Sequence, residues 1–169
     1  MLRPGDAAPD FVLKDADGRD VRLSSFSGRP IVLWFYPKDS TVGCTIEARG
    51  FREQHDLMKG FNAALVGVSM DADHTAFRDK HGLPFVLLSD PDGRVHDLYE
   101  AWRTTLLGKR PLAVRRCTYL IDEDGIIRKS YSRVNVFRHA RHVLKDLDRL
   151  RAQRQWGRTA EPRLRDLMP

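Results

Sequence analysis

IVLWFYPKDSTVGCTIEARGFREQHDLMKG, residues 31–60, passes from strand to helix across one short loop. Residues 31–36 are a continuous apolar run of strand formers, as expected for a strand buried on both faces. Pro37 ends that run, and six residues separate it from Cys44. The helix is expected to begin around residues 41–44 and to stop at Gly60. Cys44, one of only two cysteines in the chain, therefore sits where a buried strand hands over to a helix.

The elements outside this stretch follow the same alternation. FVLKDADGRDVRL, 11–23, reads as a hairpin around Asp17-Gly18. SSFSGRP, 24–30, is a turn, with a helix start at most. AALVGVSM (63–70) and FVLLSD (85–90) are further buried strands, and HTAFRDKHG (74–82) is a short helix ended by Gly82. PDGRVHDLYEAW, 91–102, leads into another short helix, and 104–114 reads as a loop. CTYLIDEDGIIRKSYSRV, 117–134, is a hairpin with Asp124-Gly125 at its tip. A last helix over 137–154 carries Val143, Leu144, Leu147 and Leu150 on one stripe. The fold class is α/β, with a mixed central sheet flanked by helices and an N-terminal β-hairpin. Residues 1–152 form one domain, and 153–169 a basic C-terminal tail. From Arg149 to the end there are six arginines against two acids.

Composition bounds the function. At 169 residues, with 41% apolar and 31% charged residues, the chain suits one globular domain with a sizeable core. No apolar stretch approaches the roughly 18 residues of a membrane span. MLRPGDAAPDF lacks an apolar signal-peptide core, so a cytoplasmic setting with reduced thiols is expected. The net charge of +6 keeps acidic partners in view. The six histidines show no metal-ligand pattern; His139 and His142 share a helix face that reads as solvated, with no further ligands nearby. No cofactor is implied.

A cysteine is a useful nucleophile only as thiolate. The start of a helix supplies free N–H groups and partial positive charge, both of which favour that anion. Pro37 stiffens the loop, Gly43 allows close backbone approach, and Thr41 places a hydroxyl three residues before the thiol. The competing reading of any lone cysteine is a small apolar core residue. Cys117, embedded in RRCTYLID, fits that description; Cys44, in a polar loop, fits it poorly.

Pro37, Thr41 and Cys44 form a P-x-x-x-T-x-x-C signature, and with FYPKDSTVGCTIEARGF around it the chain resembles the peroxiredoxins, in their bacterioferritin-comigratory-protein or PrxQ branch. The likeness extends over GDAAPDFVLKDADGRDVRLSSFSGRPIVLWFYPKD, HGLPFVLLSDPDGRVHDLYEAW and RRCTYLIDEDGIIRK. It implies a thioredoxin-like fold and reduction of hydrogen peroxide and organic hydroperoxides by a cysteine that becomes a sulfenic acid. By this resemblance Cys44 is the peroxidatic nucleophile. Thr41 and the N–H groups of Gly43 and Cys44 would bind the peroxide oxygens. Arg116 would stabilise the developing charge, Glu47 would orient Arg116, and Pro37 would shield the thiolate. Thr41 also reads as a helix cap, Arg116 as a surface charge beside Arg115, and Glu47 as an ordinary helix-surface residue. Trp34 and Tyr36 read as core and pocket wall.

One departure matters. Many PrxQ-type chains carry a resolving cysteine five residues after the first; here that residue is Arg49. Cys117 directly follows Arg116 in an expected strand, so the two should face opposite sides of the sheet. This favours a one-cysteine cycle using an external thiol, either thioredoxin or a low-molecular-weight thiol, in a monomer or dimer. A non-turnover redox sensor and a thioredoxin-like oxidoreductase are the alternatives, the latter lacking a C-x-x-C partner. A nucleic-acid or membrane-surface role for the basic tail has only Trp156 as an interleaved aromatic.

Overall fold

The computed structural model describes residues 1–104 and 111–165, with side chains described except at 104, 111–112 and 154–165. The strands are β1 (Val12–Asp15), β2 (Asp20–Arg22), β3 (Ile31–Phe35), β4 (Ala64–Ser69), β5 (Val86–Ser89), β6 (Trp102–Thr104), β7 (Pro111–Val114), β8 (Cys117–Ile121) and β9 (Ile127–Tyr131). The helices are α1 (Val42–Gly60), α2 (Thr75–His81), α3 (Arg94–Leu98) and α4 (His139–Arg165). Seven strands form one mixed sheet in the order β2-β1-β5-β4-β3-β8-β9. β3, β4 and β5 run parallel, and β8 and β1 close the set with antiparallel pairings.

β3 lies mid-sheet, and all five of its residues are buried. Alternation sends its side chains to two separate cores. Val32 and Trp34 face a layer built by α1 and α4, with Ala48, Phe51, Met58, Val143, Leu147 and Leu150. Leu33 and Phe35 face the opposite layer, with Phe11, Val95, Tyr99 and Tyr119. Each large apolar side chain so buried contributes about 1.5–3 kcal/mol. Gly67 of β4 is required by this packing. A Cβ there would lie 2.8 Å from Leu87 Cδ2 and 2.9 Å from the Trp34 ring. Trp34 in turn stacks on Tyr36 at 4.5 Å and leans on Phe51 of α1 at 5.2 Å. The register between sheet and α1 is thus set close beside Cys44.

The α/β class, the mixed sheet and the N-terminal hairpin match the sequence expectations. Three expectations are corrected. The loop expected over 104–114 begins and ends in strand, because β6 pairs antiparallel with β7, with Trp102 opposite Val114. Two strands of three and four residues carry too little alternation to read as strands. Residues 105–110 lie outside the described residues. The short helix expected to reach Trp102 ends at Leu98; Trp102 is in β6 and donates Nε1–H to Asp97 Oδ1 at 2.6 Å. The last helix does not stop near 154 but runs to Arg165, continuing through Gly157 and Pro162. Residues 166–169 lie outside the described residues. No helix among the described residues is long and apolar enough to cross a membrane.

Candidate active site

Cys44 lies in the first turn of α1. It shares a buried stripe with Ala48, Phe51 and Met58, spaced four, three and seven residues apart as one helix face requires. That periodicity explains why its side chain is fully closed to solvent. Thr41 is the N-cap residue, and the Thr45 N–H closes the first turn on the Thr41 carbonyl at 2.9 Å. The amides of Gly43 and Cys44 lie inside that turn, where helix geometry supplies no carbonyl partner. The Thr41 side chain does not cap the helix; its hydroxyl is exposed and donates to the Lys38 carbonyl at 3.2 Å.

Arg116 immediately precedes β8 rather than lying within it. From there its guanidinium reaches across to α1. Nη2 donates to Cys44 Sγ at 3.0 Å, and Nη1 donates to Glu47 Oε2. Gly43 leaves room for this contact: a Cβ there would stand 3.4 Å from Arg116 Nη2. Glu47 is not a surface residue. It is 1% exposed, because the i, i+3 spacing puts it on the same inward face as Cys44. Nor is Arg116 a free surface charge.

Burial pushes the Glu47 carboxyl up to about 7, against the opposing pull of Arg116. Burial also works against the Arg116 charge, but Glu47 and Cys44 outweigh it and hold Arg116 above its ordinary value. Pairing alone would move the two groups apart; Glu47 moves upward because it is far more deeply buried than Arg116. The consequence for stability has a definite sign. Between pH 4.5 and about 7 the folded chain keeps a proton on Glu47 that the unfolded chain releases. Stability relative to Glu47→Gln should therefore be greatest below this window and fall as pH rises through it, by up to about 3 kcal/mol. Urea midpoints of both proteins across that range test this. A flat difference would mean that Arg116 fully compensates Glu47.

The loop between β3 and α1 is pinned by a network that sequence reasoning missed. Tyr36 Oη donates to Asp39 Oδ1 at 2.8 Å, and His74 Nδ1 lies 2.7 Å from Asp39 Oδ2. His74 Nε2 lies 3.1 Å from the Leu88 carbonyl, so both ring nitrogens face acceptors. The Asp39 N–H donates to Asp71 Oδ2 at 2.9 Å, and Asp71 also accepts from Ser69 Oγ. These bonds tie the loop to β4, β5 and the start of α2. They hold it while Ser40 turns through φ +59°. Nothing in the sequence links Asp39 to His74, 35 positions away.

The remaining expected residues fall out as follows. Pro37 is exposed and lines a cleft beside Arg116. Trp34 and Tyr36 are fully buried core residues. Arg49 is exposed on α1, with Nη2 3.5 Å from His81 Nδ1. His139 is not solvated as its helix position suggested. It is 2% exposed, hydrogen-bonded to Thr118 Oγ1 at 2.8 Å, and burial lowers it to about 4. Among the described residues, no group of three or more His, Cys, Asp or Glu is placed to hold a metal ion.

Cys117 opposes Phe35 across the β3–β8 pairing and lies in the core layer of Phe11, Tyr99 and Tyr119. Cys44 lies in the other layer, with Trp34 and Phe51. The two thiols are therefore on opposite faces of the sheet, and both are free. Burial pushes the Cys117 thiol up to about 12, which keeps it protonated. The arrangement offers one sulfur with a cationic donor beside it, and a second that is inert.

Residues 4–130 match the AhpC/TSA family. The chain is 40% identical over 146 residues to peroxiredoxin Bcp of Bacillus subtilis, covering 85% of this chain and 93% of that protein. It is 41% identical over 143 residues to a chloroplastic peroxiredoxin Q of Oryza sativa subsp. japonica, covering 82% of this chain and 62% of that one. Its structure is similar to that of the Xanthomonas campestris bacterioferritin comigratory protein, studied for alkyl peroxide reduction. The TM-score is 0.78 and the identity 30%, over 85% of this chain and 98% of the other.

Proposed function

Because the chain belongs to the AhpC/TSA family, in its Bcp/peroxiredoxin Q branch, and is a thiol-dependent peroxidase with the thioredoxin-like fold of that family, we propose that Cys44 is the nucleophile of a one-cysteine cycle. The observation that carries this reading is the Arg116 guanidinium held between Cys44 Sγ and Glu47 at the start of α1.

In this cycle the Cys44 thiolate attacks one peroxide oxygen. The O–O bond breaks, an S–O bond forms, and the leaving oxygen departs as water or an alcohol once protonated. Negative charge moves from sulfur to the leaving oxygen. Arg116 stays charged throughout and holds a fixed donor against the sulfur end of that path. Glu47 holds Arg116 in place, and the Gly43 and Cys44 amides with Thr41 receive the peroxide oxygens. Pro37 forms the outer wall that limits water. The substrates are hydrogen peroxide and organic hydroperoxides. We assign this chemistry to residues 1–152, with 153–169 as an appended basic segment, working in a cytoplasm that supplies reduced thiol.

The cycle ends with an outside thiol, because Arg49 stands at the family's resolving position and Cys117 faces the other core layer. Steady-state peroxide consumption with a small thiol as the only reductant tests this. Cys117→Ser should retain turnover; Cys117→Ala guards against a folding defect from the buried hydroxyl. Loss of turnover in both folded variants would make Cys117 part of the cycle. A wild-type protein that consumes one equivalent and then stops under these conditions would be a sensor instead.

A further inference from the structure

A cleft of about 700 Å³ opens beside the site, and its lining is strongly basic. Arg103 comes from β6, Arg115 and Arg116 from the approach to β8, and Arg133 from the segment after β9; Pro37, Val114 and Val134 supply apolar wall between them. Arg116 belongs to both places, since it lines the cleft and touches Cys44 Sγ at 3.0 Å. It is paired with Glu47. Among the described residues, no carboxylate is ion-paired with Arg103, Arg115 or Arg133. Three arginines without an ion-paired carboxylate among the described residues thus line a concavity of small-molecule size.

The geometry points to this cleft as the docking site of the reductant, a low-molecular-weight thiol bearing two or more carboxylates. The inference rests on the one-cysteine reading above, which requires an outside thiol. The volume is that of a small-molecule site. The chemistry of the walls separates the thiol from the other anionic candidate, a fatty hydroperoxide. A long alkyl chain needs a continuous apolar groove, and Pro37, Val114 and Val134 set among four arginines do not make one. Hydrogen peroxide is neutral and needs none of the three unmatched cations.

Docked there by its carboxylates, the thiol has its sulfur activated as well, because neighbouring guanidinium groups favour the thiolate. Cys44 is closed to solvent, so sulfur-to-sulfur contact requires the first turn of α1 to open. The thiolate then attacks the sulfur of Cys44–SOH. An S–S bond forms, the S–O bond breaks, and hydroxide leaves as water with one proton. A second thiolate attacks the mixed disulfide at the small molecule's sulfur. This releases the Cys44 thiolate and the small disulfide, so two thiols are oxidised for each sulfenic acid reduced.

The test follows reduction of preformed Cys44 sulfenic acid by mercaptosuccinate, 2-mercaptoethanol and cysteamine, each at equal thiolate concentration. Mercaptosuccinate should react at least about tenfold faster than 2-mercaptoethanol, and cysteamine slowest, with the advantage shrinking as salt rises. The ratio of the mercaptosuccinate rate to the 2-mercaptoethanol rate should drop about tenfold in Arg103→Gln/Arg133→Gln. Equal rates for the three thiols in the wild type would overturn the proposal, with no variant needed. A second arm compares oxidation of Cys44 by hydrogen peroxide and by a carboxylate-bearing hydroperoxide. Charge preference found only in that arm would make the cleft a peroxide site and equally overturn the proposal. If no thiol reduces the sulfenic acid, the one-cysteine reading itself fails, and that outcome is distinct from reduction without charge preference.

Discussion

Cys44→Ser should reduce peroxide consumption to the uncatalysed background while leaving the fold in place. A serine hydroxyl is not ionised near neutral pH and cannot replace a thiolate as the attacking atom. The site tolerates the change sterically, since oxygen is smaller than sulfur. Arg116 Nη2, now 3.0 Å from Sγ, remains as a partner for the hydroxyl. The structural cost is that of burying one partly satisfied hydroxyl, on the order of 1–3 kcal/mol. Far-ultraviolet circular dichroism and a denaturation midpoint would register any larger disturbance. A folded Cys44→Ser protein with near wild-type turnover would remove Cys44 from the chemistry. Cys117 would be no ready substitute, because burial keeps its thiol protonated.

Arg116→Met should slow the reaction of Cys44 with peroxide on the order of 100-fold, or about 2.7 kcal/mol of barrier. Methionine fills much of the same volume but supplies neither donors nor charge. Glu47 would then be buried without its cation, a situation that normally costs several kcal/mol. Its carboxyl, already pushed up to about 7, can relieve that cost by taking a proton. The variant should therefore fold at mildly acidic to neutral pH and lose stability faster than the wild type above it. Arg116→Lys separates charge from geometry. It keeps the cation but cannot reach Cys44 and Glu47 together with a planar fork, so its rate should lie between the other two. An Arg116→Met second-order rate equal to wild type would leave the Sγ contact without catalytic meaning.

Much of this was legible in the chain because the informative features are local. The apolar run over 31–36, the break at Pro37 and the helix start near Cys44 are all read within one short stretch. The burial of Cys44 was not: its polar loop argued against a core position, yet it packs with Ala48, Phe51 and Met58 in the core. The opposed facing of Arg116 and Cys117 also followed from alternation, although Arg116 lies just before the strand rather than within it. What escaped detection depends on contacts between distant segments. The burial of Glu47 is set by α1 docking on the sheet, and the clamp of Tyr36, Asp39, Asp71 and His74 joins residues up to 38 positions apart. His139 looks like a solvated helix residue until Thr118, Phe51 and Tyr131 close around it. The β6–β7 pair is too short to announce itself, yet it brings Arg103 to the basic cleft.

The central claim is that one cysteine does the chemistry and that no second cysteine in the chain resolves it. The most direct measurement is peptide mapping by mass spectrometry after one equivalent of hydrogen peroxide, with a sulfenic-acid trapping reagent present. The sheet separates Cys44 from Cys117, so the trapping adduct should appear on Cys44, with Cys117 recovered as free thiol. Excess peroxide without thiol should carry Cys44 on to the sulfinic acid. A dominant Cys44–Cys117 cross-linked peptide, two hydrogens lighter than the sum of its parts, would contradict the account and make Cys117 the resolving residue.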